Sequence, residues 1–351
     1  MKYRRFDLLT EARRHQVPGT RCEALRNAAP RVREEILKEG ECLAYHTCPL
    51  ATGPYPTKFA FGGHATSPLP FVFLRNQMQI VQFEDFDGVR RTLLFQPLDY
   101  MQVEKAPYYA VLKERFGDFV SYKLMAKFHG TVEGWLEHFG LSPADVDYLS
   151  YDHLHVTDLR KWLGGERPFF PRAKLLVQKA EWDLVHDLHP LQRPWFVPGG
   201  VDGIPEDRVI TFEGDAFLGK GVALIHTPGH TVGNTSLVAV TGEGVYVTSE
   251  NGVGPESYVP QRSRIGGVAK AARTFGYEVV MNSNSVELIL DQYASMLLEK
   301  GIASPSPHDP EYPAFMPSFV FTSHWSAPGL SPTFEPPQVA WGRIEPAAAA
   351  A

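Results

Sequence analysis

The chain has 351 residues, 44% of them hydrophobic and 21% charged, and a net charge of −6 at pH 7. That balance is ordinary for a globular protein with a sizeable core, built as one large domain or two medium ones. With no Lys/Arg run there is no footprint for nucleic acid, no window reaches the length of a membrane span, and a small-molecule partner is expected. Met1 to Asp7 lacks the apolar core of a signal peptide. Three cysteines, Cys22, Cys42 and Cys48, match no zinc-knuckle spacing and suit a reducing compartment, with a single disulfide left open. A cytoplasmic location is the expectation.

Residues 1–40 read as a helical N-terminal extension. Leu8, Leu9 and Ala12 form a short apolar stripe, Pro18-Gly19 breaks it, and Val32, Ile36 and Leu37 form a second one. From Cys42 to Tyr100 the pattern is β: Phe59–Phe61, Phe71–Leu74, Met78–Phe83 and Thr92–Phe95 are strand-like, with turns at Gly62-Gly63, Asn76 and Asp87-Gly88. Helical spacing returns over 107–140, where Val132, Trp135, Leu136 and Phe139 share a face and Gly140 is placed to end it. Val146, Tyr148 and Leu149 then form the end of a buried strand. It runs into His153-Leu154-His155-Val156-Thr157-Asp158. Two histidines at i and i+2 just past a strand aim both rings into one cavity if the chain turns there, and a nearby carboxylate can join them. Such a set suits zinc, iron or manganese. A partly exposed pair at a strand end is the plainer alternative.

Downstream, Ala173–Gln178 reads as a strand and Ala180–Leu188 as a helix, followed by a Pro/Gly-rich loop from Pro190 to Gly203. Val209–Phe212, Val222–Ile225, Thr235–Val240 and Gly244–Val247 read as four short strands. A helix over Gly266–Phe275, a strand over Glu278–Met281 and a helix over Val286–Leu298 follow. After Gly301 the chain is Pro-rich with one apolar run, Phe315–Phe321, which would permit a homodimer. The second informative stretch is Leu224-Ile225-His226-Thr227-Pro228-Gly229-His230-Thr231. There a strand ends in a sharp Pro-Gly reversal and His230 follows it directly.

Together the two stretches resemble the metallo-β-lactamase superfamily, which carries His-x-His-x-Asp-His after one strand and Thr-Pro-Gly-His-Thr downstream. Leu176–Trp182 resembles the matching segment of lactonase-like members. The resemblance covers roughly residues 70–310 and implies an α/β fold, an αββα sandwich with metal held in loops at one edge of two sheets. The expected division is a helical extension at 1–40, a metallo-β-lactamase-like domain at 41–312 and a Pro-rich C-terminal segment at 313–351. That segment packs on the domain and ends in a disordered alanine tail, Ala347–Ala351.

The resemblance implies metal ligands at His153, His155 and His230, with Glu250 in the bridging position and His308 as the last histidine. Two departures stand out: Thr157 occupies the place of the family's aspartate and Asp158 that of its neighbouring histidine. One half-site is then His153, His155, His230 and Glu250. The other is Asp158, Glu250 and His308, richer in oxygen than the family pattern, which opens iron or manganese beside zinc, as one ion or two. Asp152 and His226 read as structural, or as groups that orient a ligand.

The expected activity is metal-dependent hydrolysis of a small-molecule ester or lactone. Asp158 would act as general base and Tyr258 as oxyanion donor, and Tyr108, Tyr109, Trp195, Phe196 and Trp325 would line the pocket. A non-haem iron oxygenase on the same fold and a catalytically inactive binding module are the alternatives.

Overall fold

Two long strands form the spine of the larger sheet. In the computed structural model, which describes residues 3–347, Ala44–Pro56 and Phe71–Glu84 pair antiparallel over nearly their whole length. The register shifts between Pro49 and Ala51, where a proline with no N–H cannot serve the ladder. The turn expected at Asn76 is absent. Asn76 is buried within the strand and its amide donates to the Ser318 carbonyl at 3.3 Å, so a tertiary partner overrides its turn preference.

Arg90–Phe95, Tyr148–Ser150, Lys174–Gln178 and Val209–Phe212 extend this sheet, the last three added in parallel. Ala340–Gly342 closes its other side, and Lys127–Phe128 and Phe319–Thr322 pair off the main path. The smaller sheet is fully antiparallel, in the order Arg4–Phe6, Asp215–Gly219, Val222–His226, Thr235–Thr241, Gly244–Thr248.

Alternation along the smaller sheet builds two cores at once. Val222, Leu224, Leu237 and Ala239 face Val81, Phe83, Leu93 and Phe95 of the larger sheet. Ala223, Ile225, Val238 and Val240 face the helices Pro18–Lys38 and Ile289–Ile302. A third core lies beyond the larger sheet, where Ile80, Leu94, Leu149 and Val177 meet Leu136, Trp162 and Leu163. The layers run helix, sheet, sheet, helix, as the expected αββα sandwich requires.

Several segments depart from the sequence reading. Pro18 opens a 21-residue helix instead of breaking one, because a proline at the first helical position gives up an N–H that has no partner anyway. That helix belongs to the outer layer, and residues 4–6 add an edge strand. Phe59 and Ala60 lie in a short helix, Thr57–Ala60, and Glu278–Met281 forms no strand. Phe315, Met316, Val320 and Phe321 are buried within the chain and Phe319 is half-buried, so the apolar run packs mostly on the chain itself. All three cysteines are free. Among the described residues no helix is long and apolar enough to cross a membrane. The Ala347 N–H donates to Asp145 at 3.0 Å, and the rest of the expected alanine tail lies outside the described residues.

Candidate metal centre

The first histidine loop leaves the strand Tyr148–Ser150 and stays buried from Tyr151 through Leu159. Asp152 holds its start: its carboxylate accepts the His153 N–H at 2.8 Å and the Ser318 hydroxyl, and its carbonyl accepts the Thr235 N–H at 2.8 Å. Further along, Val156 adopts φ +51°. A β-branched residue avoids this conformation, and strain of this kind persists only where the surroundings enforce it. Here the Val156 N–H is tied to the Trp195 carbonyl at 2.8 Å and the Leu159 N–H to Gly200 at 2.7 Å.

The second loop, Thr227 to Asn234, closes on itself through hydrogen bonds of 2.9 Å from Thr227 N–H to Asn234 and from Gly229 N–H to Thr231. Gly229 and Gly233 are needed here, since a Cβ would fall 2.4 Å from the Gln292 Cα and 2.2 Å from the Glu181 nitrogen. The Asn251 side chain accepts the His230 N–H at 3.0 Å. Glu181, on the helix Lys179–His186, joins the two loops. One carboxylate oxygen accepts the Leu154 N–H at 2.8 Å and the other the Thr231 hydroxyl at 2.6 Å.

These loops bring His153, His155 and His230 together, with ring centroids 4.4 to 4.9 Å apart and all three buried. His155 Nδ1 lies 3.2 Å from His230 Nε2. Glu250, two residues past the strand Gly244–Thr248, reaches in to 3.5 Å from His153 Nε2 and 3.9 Å from His230 Nε2. Bonds of about 2.0–2.1 Å set tetrahedrally around one ion separate the donors by roughly 3.3 Å. The three imidazoles therefore fit a divalent ion such as zinc, iron or manganese, with Glu250 beside His153 and His230.

The other edge of each ring is also engaged. His155 Nε2 meets the Gln192 side-chain oxygen at 2.8 Å, which puts the proton on Nε2 and leaves the Nδ1 lone pair facing the cluster. Asp152 lies 2.8 Å from His153 Nδ1, a close but poorly aligned contact. Asp152 thus orients His153, whereas the His226 Nε2–H donates to the Val232 carbonyl of its own loop at 2.9 Å and stays structural.

Burial and mutual repulsion set the protonation pattern. Burial, then the charge on His153, hold His155 and His230 well below the ordinary histidine value. Burial also opposes a charge on His153, yet Asp152 and Glu250 outweigh it and raise that group to about 9. Burial raises Glu250 as well, with His153 opposing. In metal-free protein both raised groups bind protons more tightly folded than unfolded, so their contribution is complete at low pH and is lost as pH rises. The urea midpoint of chelated protein is expected to fall between pH 6.5 and about 9, the window set by His153. Zinc, which replaces those protons, should remove most of that fall. A midpoint that rises over this range in chelated protein would contradict the arrangement.

Three residues expected in the site do not join it. Asp158 is clamped by Arg160, with its Nε at 2.8 Å, and by Lys105 at 3.0 Å. Burial alone would raise this carboxyl, but those cations hold it at about 2, leaving it a poor base. The Tyr258 hydroxyl is buried and donates to Glu299 at 2.6 Å, with its ring 4.0 Å from Phe315 in the helix-facing core, so it supplies no oxyanion donor. His308 is exposed, beside a shallow depression lined by Tyr246, Ser306 and Phe315.

Sequence reasoning missed Glu181 and Gln192, whose roles arise from contacts 27 and 37 residues away in the chain. It also missed Asn282, which donates to Glu250 at 3.2 Å and accepts the Tyr55 hydroxyl at 2.5 Å. Tyr55, Tyr100, Tyr109, Val156 and Trp195 line the cavity around the cluster. Past Tyr100, Val103 and Tyr109 it adjoins a second cavity walled by Leu112, Phe116 and Met125. Of the expected lining aromatics, Tyr108 packs on Trp195 at 4.6 Å and Phe196 on His155 at 4.7 Å, while Trp325 is 70% exposed.

No family model matches the chain. Over 106 residues it is 31% identical to an N-acyl homoserine lactonase from a Bacillus species, a match spanning 30% of this chain and 38% of that relative. The chain therefore covers well under half the relative's length. Among solved structures it is similar to an N-acyl homoserine lactone hydrolase with the product N-hexanoyl-L-homoserine bound at its catalytic metal centre. That likeness has 17% identity, covers 68% of this chain and 90% of the other, and has a TM-score of 0.45. It is also similar to a hydrolase in the beta-lactamase superfamily, with 14% identity, 86% and 94% coverage and a TM-score of 0.44.

Proposed function

We propose that this chain is a metal-dependent hydrolase that opens a small-molecule lactone or ester. The observation that carries the reading is the convergence of three buried imidazoles, with Glu250 beside two of them, in an aromatic-lined cavity. A bound zinc, iron or manganese ion would supply a nucleophilic water at neutral pH and polarise the carbonyl. His153, His155 and His230 would hold the ion, Asp152 and Gln192 fixing the rings of the first two. With Asp158 clamped, Glu250 is the carboxylate left to receive a proton from the attacking water and return it to the leaving alkoxide. The apolar wall of Tyr100, Val103, Tyr109 and Phe116 suits the hydrocarbon part of a substrate. Three free cysteines suit a reducing cytoplasm.

The test is hydrolysis of an N-acyl homoserine lactone, the substrate class named for the Bacillus relative, and of a simple aryl ester. The protein is purified without added metal and assayed before and after chelation. Turnover that is lost on chelation and restored by zinc, iron or manganese is the expected result. Turnover indifferent to a chelator would remove the proposal, and oxygen consumption by an iron-loaded protein would replace hydrolysis with oxygenation.

A further inference from the structure

We infer that the chain holds one metal ion and not a pair, an inference that rests on the metal-hydrolase reading. The resemblance carried by the two histidine stretches assigns a second ion to Asp158, Glu250 and His308. These residues do not fit one. Asp158 is 5% exposed and its carboxylate is fully engaged, accepting from Arg160 Nε at 2.8 Å, Arg160 NH2 at 2.5 Å, the Arg160 backbone N–H at 3.2 Å and Lys105 Nζ at 3.0 Å. A dication placed there would have to displace an ammonium and a guanidinium already in contact. Thr157, which stands where a carboxylate would help, donates its hydroxyl to the His155 carbonyl at 3.0 Å. His308 is exposed in the Pro-rich segment and is in neither of the ligand groups.

Only Glu250 is left of the proposed trio, and it already faces His153 and His230. Among the described residues two groups could hold an ion, and both depend on His153: one is His153, His155 and His230, the other Asp152, His153 and Glu250. The second cannot fill independently of the first, because both need the one ring of His153. The Lys105–Asp158–Arg160 cluster thus takes the place in the sequence where the resemblance puts ligands for another metal.

The experiment counts ions. Chelator-stripped full-length protein is titrated with zinc chloride, and the tightly bound equivalents are read by native mass spectrometry and elemental analysis. One equivalent per chain is expected, and Asp158→Asn should retain it with an unchanged dissociation constant. Two tight equivalents, or loss of an equivalent in Asp158→Asn, would overturn this inference while leaving the hydrolase reading standing. No bound zinc, and none of iron or manganese, would overturn both. The wild-type count decides the matter even if Asp158→Asn fails to fold.

Discussion

Replacing His230 with alanine is expected to abolish tight metal binding and, with it, turnover. His230 is the only ligand supplied by the second loop among the three imidazoles, and its Nε2 faces both His155 Nδ1 and Glu250. Loss of a group that merely orients a ligand weakens metal affinity roughly 10–100-fold, so loss of the ligand itself should exceed that. The backbone N–H of residue 230 would keep its bond to Asn251 and the turn would still close through Gly229 and Thr231. His230→Ala should therefore fold, with near-wild-type circular dichroism. Metal content by elemental analysis and affinity by competition with a chromogenic chelator are the readouts. An unchanged metal content would remove His230 from the site and take the proposed hydrolysis with it.

The second large effect is expected at Glu181, in stability first and in metal affinity as a result. Its two oxygens tie Leu154, which lies between His153 and His155, to Thr231, which follows His230. Glu181→Leu leaves a buried N–H and a buried hydroxyl without acceptors, and hydrogen bonds to a charged group contribute about 1.5–3 kcal/mol each. A loss of about 3 kcal/mol in urea unfolding is the estimate, since part of each bond is offset by no longer burying a carboxylate. Glu181→Gln should lie between the two, because an amide can accept from only one of the partners. Zinc affinity should fall in the same order, wild type above Gln above Leu. Equal stability of all three proteins would show that the two loops are held by other means.

The histidine motifs were legible because their information is local. A strand end, an i, i+2 spacing and a Pro-Gly reversal fix where three rings point before any distant contact is known. The strands of the smaller sheet were legible for a similar reason, although Asp215–Gly219 was missed because Gly214, Asp215 and Gly219 look like turn residues. Asp215 is in fact spent on Arg13 and on the His226 N–H. Asp158 was misread because no spacing rule shows that Arg160, two residues on, folds back onto it or that Lys105, 53 residues upstream, joins them. Tyr258 failed likewise: Glu299, 41 residues on, takes its hydroxyl. His308 was placed by counting elements, which gives order along the chain and not the face on which a loop emerges. Glu181 and Gln192 gave no signal, since a lone buried carboxylate or amide looks like any surface residue until its partners arrive.

The edges of the two sheets carry a consequence for how copies of this chain meet. Arg4–Phe6 borders the smaller sheet and Ala340–Gly342 and Val209–Phe212 border the larger one, each three or four residues long, while the smaller sheet's other border, Gly244–Thr248, is covered by Ala314 and Met316, which bond to Val247. So short a ladder gives an incoming strand little to zip against, and Arg4, Arg5 and Arg208 add charge beside two of these borders. The long strand Phe71–Glu84, with three Phe and two Val, is sealed inside between its neighbours. Self-association through backbone pairing at these borders is thereby disfavoured.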